Sequence, residues 1–438
     1  MRRLPLLCLS FGLACAAATS ASRAADAVAL AGRVDAQVLA WRRDFHQHPE
    51  LGNRETRTAK RVADHLRKLG LQPKTGIAHT GVAAVLKGGR PGPRLALRAD
   101  MDALPVTERN DLPFASKVTA TFRGETVGVM HACGHDAHTA ILMGVAEALA
   151  SMRDELPGEV LFVFQPAEEG PPDGERGGAP LMLEEGLFAD FKPDAVFGLH
   201  VFSTLNAGQI GLRAGPAMAA SDRFELAVKG RQTHGSRPWS GVDPIVAAAQ
   251  IIGNAQAIVS RQMDISKQPV VVTFGAIKGG VRHNIIPDEV RTIGTIRTFD
   301  EAMREDVFAR LKHMAEHVAA AHGATVEAKI PLEAEGNFVT YNDPALTERM
   351  RPSLEKAAGA QNVVEMPLVM GSEDFSYYAK RAPGLFFFVG ATPQGQDASK
   401  APSNHSPEFF LDESALRVGT RAMLQVALDY LGGQQAAK

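Results

Sequence analysis

The 438-residue sequence predicts an α/β fold, a doubly wound and mostly parallel sheet interrupted by an inserted two-layer α+β domain. Three observations predict it. The runs VLFVF at 160–164, AVFGL at 195–199 and GLFFFVG at 384–390 are apolar without alternation, as in strands buried on both faces. Such runs alternate with amphipathic helical stretches, which favours βαβ units. From about residue 215 the texture changes to half-exposed alternation, as in RFELAVK at 223–229.

Taken in order, residues 33–46 and 54–69 read as amphipathic helices, the second closed by Gly70. Residues 94–98 form a short strand that delivers Ala99-Asp100-Met101-Asp102. A helix over 137–151 starts directly after the HACGHD loop. The strand at 160–164 runs into Gln165-Pro166-Ala167-Glu168-Glu169, and the strand at 195–199 ends on His200. In the inserted region, strands are expected at 223–229, 270–277 and 289–298, with helices at 244–262 and 301–322. A helix at 346–358 and the strand at 384–390 return the chain to the first domain. The expected divisions are a leader at 1–24, main domain at 25–214 and 331–438, and inserted domain at 215–330. In open α/β sheets functional groups gather beyond the carboxyl ends of the strands, where Asp100, Asp102, Glu168, Glu169 and His200 fall.

The leader reading rests on Met1-Arg2-Arg3, an apolar stretch from 4 to 18 and small residues before a cut placed after Ala24. It predicts an exported protein, periplasmic or secreted. A lipoprotein reading through Cys15 is disfavoured by Gly12, where a branched aliphatic residue normally stands. Of the three cysteines, Cys8 and Cys15 leave with the leader, so Cys133 remains without a disulfide partner. It is either a buried inert thiol or a ligand, and its polar, glycine-rich neighbours favour a ligand. Without the leader's three arginines, 44 basic residues face 49 acidic ones, which suggests neither a nucleic-acid nor an anionic-membrane partner.

The run MHACGHDAH at 130–138 sets one thiol and three imidazoles within a few residues. Cys133 and His135 flank one glycine and can converge on a cation, for which both are good ligands. His131 and His138 are given supporting roles. Glu168 and Glu169 follow an apolar strand, so one carboxylate can ligate while its neighbour takes a proton from water. Taken singly, His200 reads as a core histidine and His405 as a loop residue. Asp100 and Asp102 could ligate, orient an imidazole or sit in a surface turn.

Read in order, HACGHDAHTA, QPAEEG, GLH, a Thr-His-Gly segment, HNIIPDEV, GSEDF and NHSPEFF resemble one family across residues 34–431. It is the dinuclear metallopeptidase-like amidohydrolases, which include hippurate hydrolase, N-acyl-amino-acid hydrolases, auxin-conjugate hydrolases and N-acetyldiaminopimelate deacetylase. The resemblance implies that the main domain is catalytic and the inserted one a lid and dimerisation domain. It implies two divalent ions per subunit, held by Cys133, His135, Glu169, His200 and His405. Zinc or manganese is favoured, with cobalt or nickel compatible. Glu168 would be the general base, and Asp102 would steady a ligand. His234 would help hold the substrate carbonyl oxygen, often from a partner subunit, with Asn284 nearby. Arg297 would grip a substrate carboxylate, and Gly371 and Ser372 would line that end. Two departures stand out: Trp239 replaces a common histidine, and the loop at 171–178 is longer and more polar than usual.

The leading expectation is a metal-dependent amidohydrolase that cleaves N-acyl or N-aroyl amino acids and works as a homodimer, with no stable membrane association once the leader is gone. A dipeptidase or carboxypeptidase would use the same site. A metal-binding protein without turnover would have no use for the free second carboxylate.

Overall fold

A computed structural model gives the fold and describes residues 26–332 and 336–433, so the expected leader lies outside the described residues. The main sheet has eight strands in the order Lys74–Ile77, Gly81–Lys87, Pro157–Gln165, Arg90–Asp100, Ala195–Asn206, Gly384–Thr392, Ile210–Leu212 and Val363–Glu365. Its four central strands run parallel. The hairpin Lys74–Ile77/Gly81–Lys87 adds antiparallel strands at one edge, and Ile210–Leu212 joins antiparallel at the other.

Both faces of the central strands are buried, which explains the unbroken apolar runs. Phe162, Phe164, Leu385 and Phe387 enter one core, while Leu161, Val163, Phe386 and Phe388 enter the other. The two covering layers are unequal. The first face carries the long helices Ala27–Gln47, His135–Ala150, Pro344–Ala358 and Ser414–Leu431. The second is covered partly by the short helices Gly178–Glu184 and Phe375–Ala379.

The inserted domain holds a four-stranded antiparallel sheet in the order Val271–Gly279, Glu289–Thr298, Ala220–Lys229 and Thr325–Lys329. Its strands lie inside the expected 215–330. Phe224, Leu226 and Val228 pack with Ile251 and Leu311 from helices Pro244–Ala257 and Glu301–Ala321. Those helices start on Asp243 and Asp300, whose carboxylates accept N–H bonds from the first turn.

Two local readings need correction. The strand at Ala195 does not stop at His200 but continues to Asn206, because its parallel ladder with Gly384–Thr392 carries on past that point. The helix after the HACGHD loop begins at His135 rather than 137, because Gly134 already caps it.

Candidate metal centre

Gly134 makes the loop possible. It caps the helix His135–Ala150 at φ 93°, a left-handed conformation that suits glycine. A Cβ there would lie 2.2 Å from Val201 Cγ2, so only glycine fits. The turn carries Cys133 to the end of the loop and His135 to the first helical position.

Five side chains from four segments meet at this point. Cys133 Sγ lies 3.3 Å from His200 Nε2 and 3.2 Å from His405 Nε2. Glu169 Oε1 lies 3.0 Å from His405 Nε2 and 4.0 Å from His135 Nε2. His200 Nδ1 donates to the Val201 carbonyl oxygen at 2.7 Å, leaving Nε2 as the lone-pair nitrogen. His405, at φ 73°, is stitched in place by its own N–H to the Ala132 carbonyl oxygen. Its neighbour Asn404 donates to the carbonyl oxygens of Cys133 and Val201.

These donors suit divalent ions. His135 Nε2 is buried without a hydrogen-bond partner, which is costly unless another group satisfies it. Ligands about 2.1 Å from a tetrahedral ion stand roughly 3.4 Å apart, close to the separations found. The donor atoms fall into overlapping groups, Cys133/His135/His200, Cys133/Glu169/His405 and His135/Glu168/Glu169. Thiolate, imidazole and carboxylate together match zinc and related first-row metals.

Asp102 ties the centre to the sheet. Its Oδ1 faces His135 Nδ1 at 3.2 Å, and its Oδ2 accepts the Glu169 N–H at 2.9 Å. Asp100 is equally buried and receives His138 Nδ1 at 2.6 Å. His138 Nε2 accepts the Val201 N–H at 2.9 Å, so both of its nitrogens are used and it walls the site. His131 is buried with neither nitrogen bonded, and burial holds it down to about 4, hence neutral.

The local field is negative. Burial pushes His135 down, but Asp100 and Asp102 outweigh it and lift the imidazole to about 10. Burial, then Glu169, Glu168 and Asp100, pushes the Cys133 thiol well above its usual value. Burial and the carboxylates of Glu373, Glu169 and Asp374 likewise raise the proton affinity of Glu168. Such a concentration of acidic groups attracts cations.

Beneath Glu168 lies a network the motif reading missed. Arg98 is fully buried and bonds Asp100 at 2.6 Å, Glu373 at 2.8 Å, Asp374 at 2.9 Å and Gln165 at 2.9 Å. Its signal was present, since an arginine inside the apolar run RLALR needs buried counter-charges. A second missed network holds Asp136, whose Oδ2 lies 3.0 Å from Arg42 Nε and 2.8 Å from His46 Nδ1.

A cleft of about 720 Å³ opens beside Glu168 and Glu169, lined also by Arg223, Asn337 and Ser372. Its rim is the polar loop around residues 171–177, tethered by Asp173–Arg123, Glu175–Arg54 and Arg176–Glu184 ion pairs. Gly371 is exposed next to Ser372, and its carbonyl oxygen accepts the Ala219 N–H. His234, Asn284 and Arg297 belong to the inserted domain and do not line this cleft. His234 is exposed, with Nδ1 accepting the Ser236 N–H at 3.0 Å.

Comparison with known proteins gives consistent matches. A family model described as peptidase family M20/M25/M40 matches residues 96–429. A thermostable carboxypeptidase of Saccharolobus solfataricus is 39% identical over 394 residues, covering 90% of this chain and 95% of that relative. An N-acetylcysteine deacetylase of Bacillus subtilis is 38% identical over 398 residues, covering 90% and 96%. The crystal structure of a dinuclear metal-binding M20 peptidase from Bacillus subtilis superposes with a TM-score of 0.74 at 35% identity, covering 92% of this chain and 99% of the other.

Proposed function

The chain belongs to peptidase family M20/M25/M40 and is a metal-dependent amidohydrolase, and we propose that it splits N-acyl or N-aroyl amino acids into a carboxylic acid and an amino acid. The observation that carries this reading is the unequal placement of Glu168 and Glu169. Both border the cleft, but Glu169 Oε1 lies 3.0 Å from His405 Nε2 within the Cys133/His405 group, whereas Glu168 stands beside Glu373 and Asp374 with a raised proton affinity.

Cys133, His135, Glu169, His200 and His405 would hold two ions, zinc or manganese in our reading, with cobalt or nickel also compatible. When bound, such ions bring the pKa of a water near about 7 and polarise the scissile carbonyl. Glu168 takes a proton from the attacking water and delivers it to the departing nitrogen. Arg98 offsets the crowded carboxylates beneath it. Asp102 fixes His135 and the Glu169 backbone.

We assign His234 to the substrate carbonyl oxygen, with Asn284 near the same group, and Arg297, Gly371 and Ser372 to the substrate's carboxylate end. Arg297 Nη1 and Asn284 Oδ1 are buried without partners, which supports their use by a ligand. Homodimerisation through the inserted domain is supported by the edge strand Val271–Gly279 and by exposed Trp239, Ile277 and Val281. Light scattering on the Val281→Asp variant, expected to be monomeric, tests it. Export is proposed from the N-terminal sequence, and the N-terminus of the mature protein tests it.

A mass-spectrometric screen of N-acylated amino acids and dipeptides against the metal-reconstituted enzyme decides the substrate class. Faster turnover of N-acyl amino acids supports the proposal. Faster turnover of dipeptides favours the peptidase reading, which the carboxypeptidase relative recommends.

A further inference from the structure

Glu55 is fully buried, yet it does none of the work its position suggests. It precedes the helix Thr56–Lys68 at the N-cap, but its side chain makes no capping bond. The carboxyl group instead reaches across to the turn that carries Glu168. Its Oε1 accepts the Ala167 N–H at 2.9 Å, and its Oε2 receives the Thr80 hydroxyl at 2.5 Å.

Ala167 is the residue that aims the pair. It is a buried non-glycine residue at φ 50°, directly before Glu168. A left-handed alanine is disfavoured by its Cβ and persists only where its surroundings enforce it. Glu55 supplies that enforcement on one side. Asp102 supplies it on the other, by accepting the Glu169 N–H at 2.9 Å. Two buried carboxyl groups therefore hold the peptide N–H groups on either side of Glu168. Packing leaves the turn little freedom, since a Cβ on Gly52 would stand 2.9 Å from the Gly170 oxygen and 3.2 Å from Ala167.

We propose that Glu55 is a positioning residue for Glu168, holding the Ala167 peptide so that the Glu168 carboxylate faces the cleft. Burial and the neighbouring Asp102 charge raise Glu55 to about 8, so it is held as a neutral acid near pH 7. A neutral amide is then a close substitute. The proposal rests on the assignment of Glu168 as the base.

The test compares Glu55→Ala and Glu55→Gln in the metal-loaded, full-length enzyme. Glu55→Ala should lower kcat by about 10- to 100-fold, the scale of an ångström-sized misplacement. KM should stay within about threefold, because the ground-state contacts are untouched. Both ions should be retained, and hydrogen exchange at residues 166–170 should accelerate. Glu55→Gln should restore kcat and exchange protection to near the wild-type values. Unchanged kcat in Glu55→Ala, or damage in Glu55→Gln equal to that in Glu55→Ala, overturns the proposal. Where Glu55→Ala does not fold, Thr80→Val removes one anchor of the carboxyl group. Lower kcat with faster exchange there supports the idea, and no change in either refutes it. A wild-type enzyme inert toward N-acyl amino acids and dipeptides would defeat the functional reading alone, because hydrogen exchange still reports on the Glu55 contact.

Discussion

Asp102 Oδ2 accepts the backbone N–H of Glu169 at 2.9 Å while Asp102 Oδ1 faces His135 Nδ1 at 3.2 Å. One carboxylate thus orients two proposed ligands from different segments. Partners of this kind typically change metal affinity about 10- to 100-fold when removed. Asp102→Ala should weaken metal binding by that factor, read by competition with a chelator, while the fold persists.

Glu168→Gln keeps the shape of the side chain and removes its ability to take a proton. Loss of a positioned general base typically costs about 10²–10⁴ in rate. The variant should hold both ions by elemental analysis and lose activity on that scale. A variant without metal, or one that turns over normally, would remove Glu168 from the base role.

Cys133 faces both His200 and His405 and is the donor shared by the Cys133/His135/His200 and Cys133/Glu169/His405 groups, so its loss would weaken both. Cys133→Ala should bind fewer than two ions per subunit and lose activity. Chelation of the wild type should lower its melting temperature, and chelation of Cys133→Ala should lower it less.

Arg98 stands against Asp100, Glu373 and Asp374 with no solvent exposure of its side chain. Removing one partner of a buried ion network is destabilising by about 3–5 kcal/mol, because the remaining charges are left unpaired. Arg98→Met should show that loss in denaturant unfolding. A variant within 1 kcal/mol (roughly) of wild type would mean the carboxyl groups simply take up protons.

The sequence made the contiguous parts of this site readable and left the dispersed parts obscure. Cys133 with His135, and Glu168 with Glu169, announce themselves because their spacing is local. His405 acquires meaning only through the order of distant motifs. Arg98 and Glu373 lie 275 positions apart, so no local pattern links them. The edge hairpin Lys74–Ile77/Gly81–Lys87 escaped because its short strands contain glycines and little alternation. The continuation of the Ala195–Asn206 strand was hidden by Ser203 and Thr204, polar residues within an otherwise buried ladder. The inserted domain was legible from its alternating strands, whereas nothing local in the sequence shows that His234 is exposed and does not line the cleft.

His65 offers a pH test far from the metal centre. Burial holds it down to about 4, with Nε2 3.1 Å from the Met143 carbonyl oxygen. The unfolded chain binds its proton near pH 6.5, whereas the folded chain resists until about 4. The stability from neutral His65 is therefore complete above pH 6.5 and is lost as pH falls toward 4. The loss should be about 2 kcal/mol by pH 5. His65→Gln should flatten that part of the stability curve in denaturant titrations between pH 7 and pH 5.

The three ion pairs that tether the cleft rim, Asp173–Arg123, Glu175–Arg54 and Arg176–Glu184, are solvent-exposed to different degrees. Exposed pairs contribute about 0–1 kcal/mol each, and salt near 0.1 M screens charges beyond about 10 Å. The entrance is therefore fastened by independent weak catches rather than by a single latch. Losing any one pair should leave the rim in place, because Asn53 and His79 also hold the Arg176 carbonyl oxygen, so a single charge substitution there should change apparent substrate affinity only slightly.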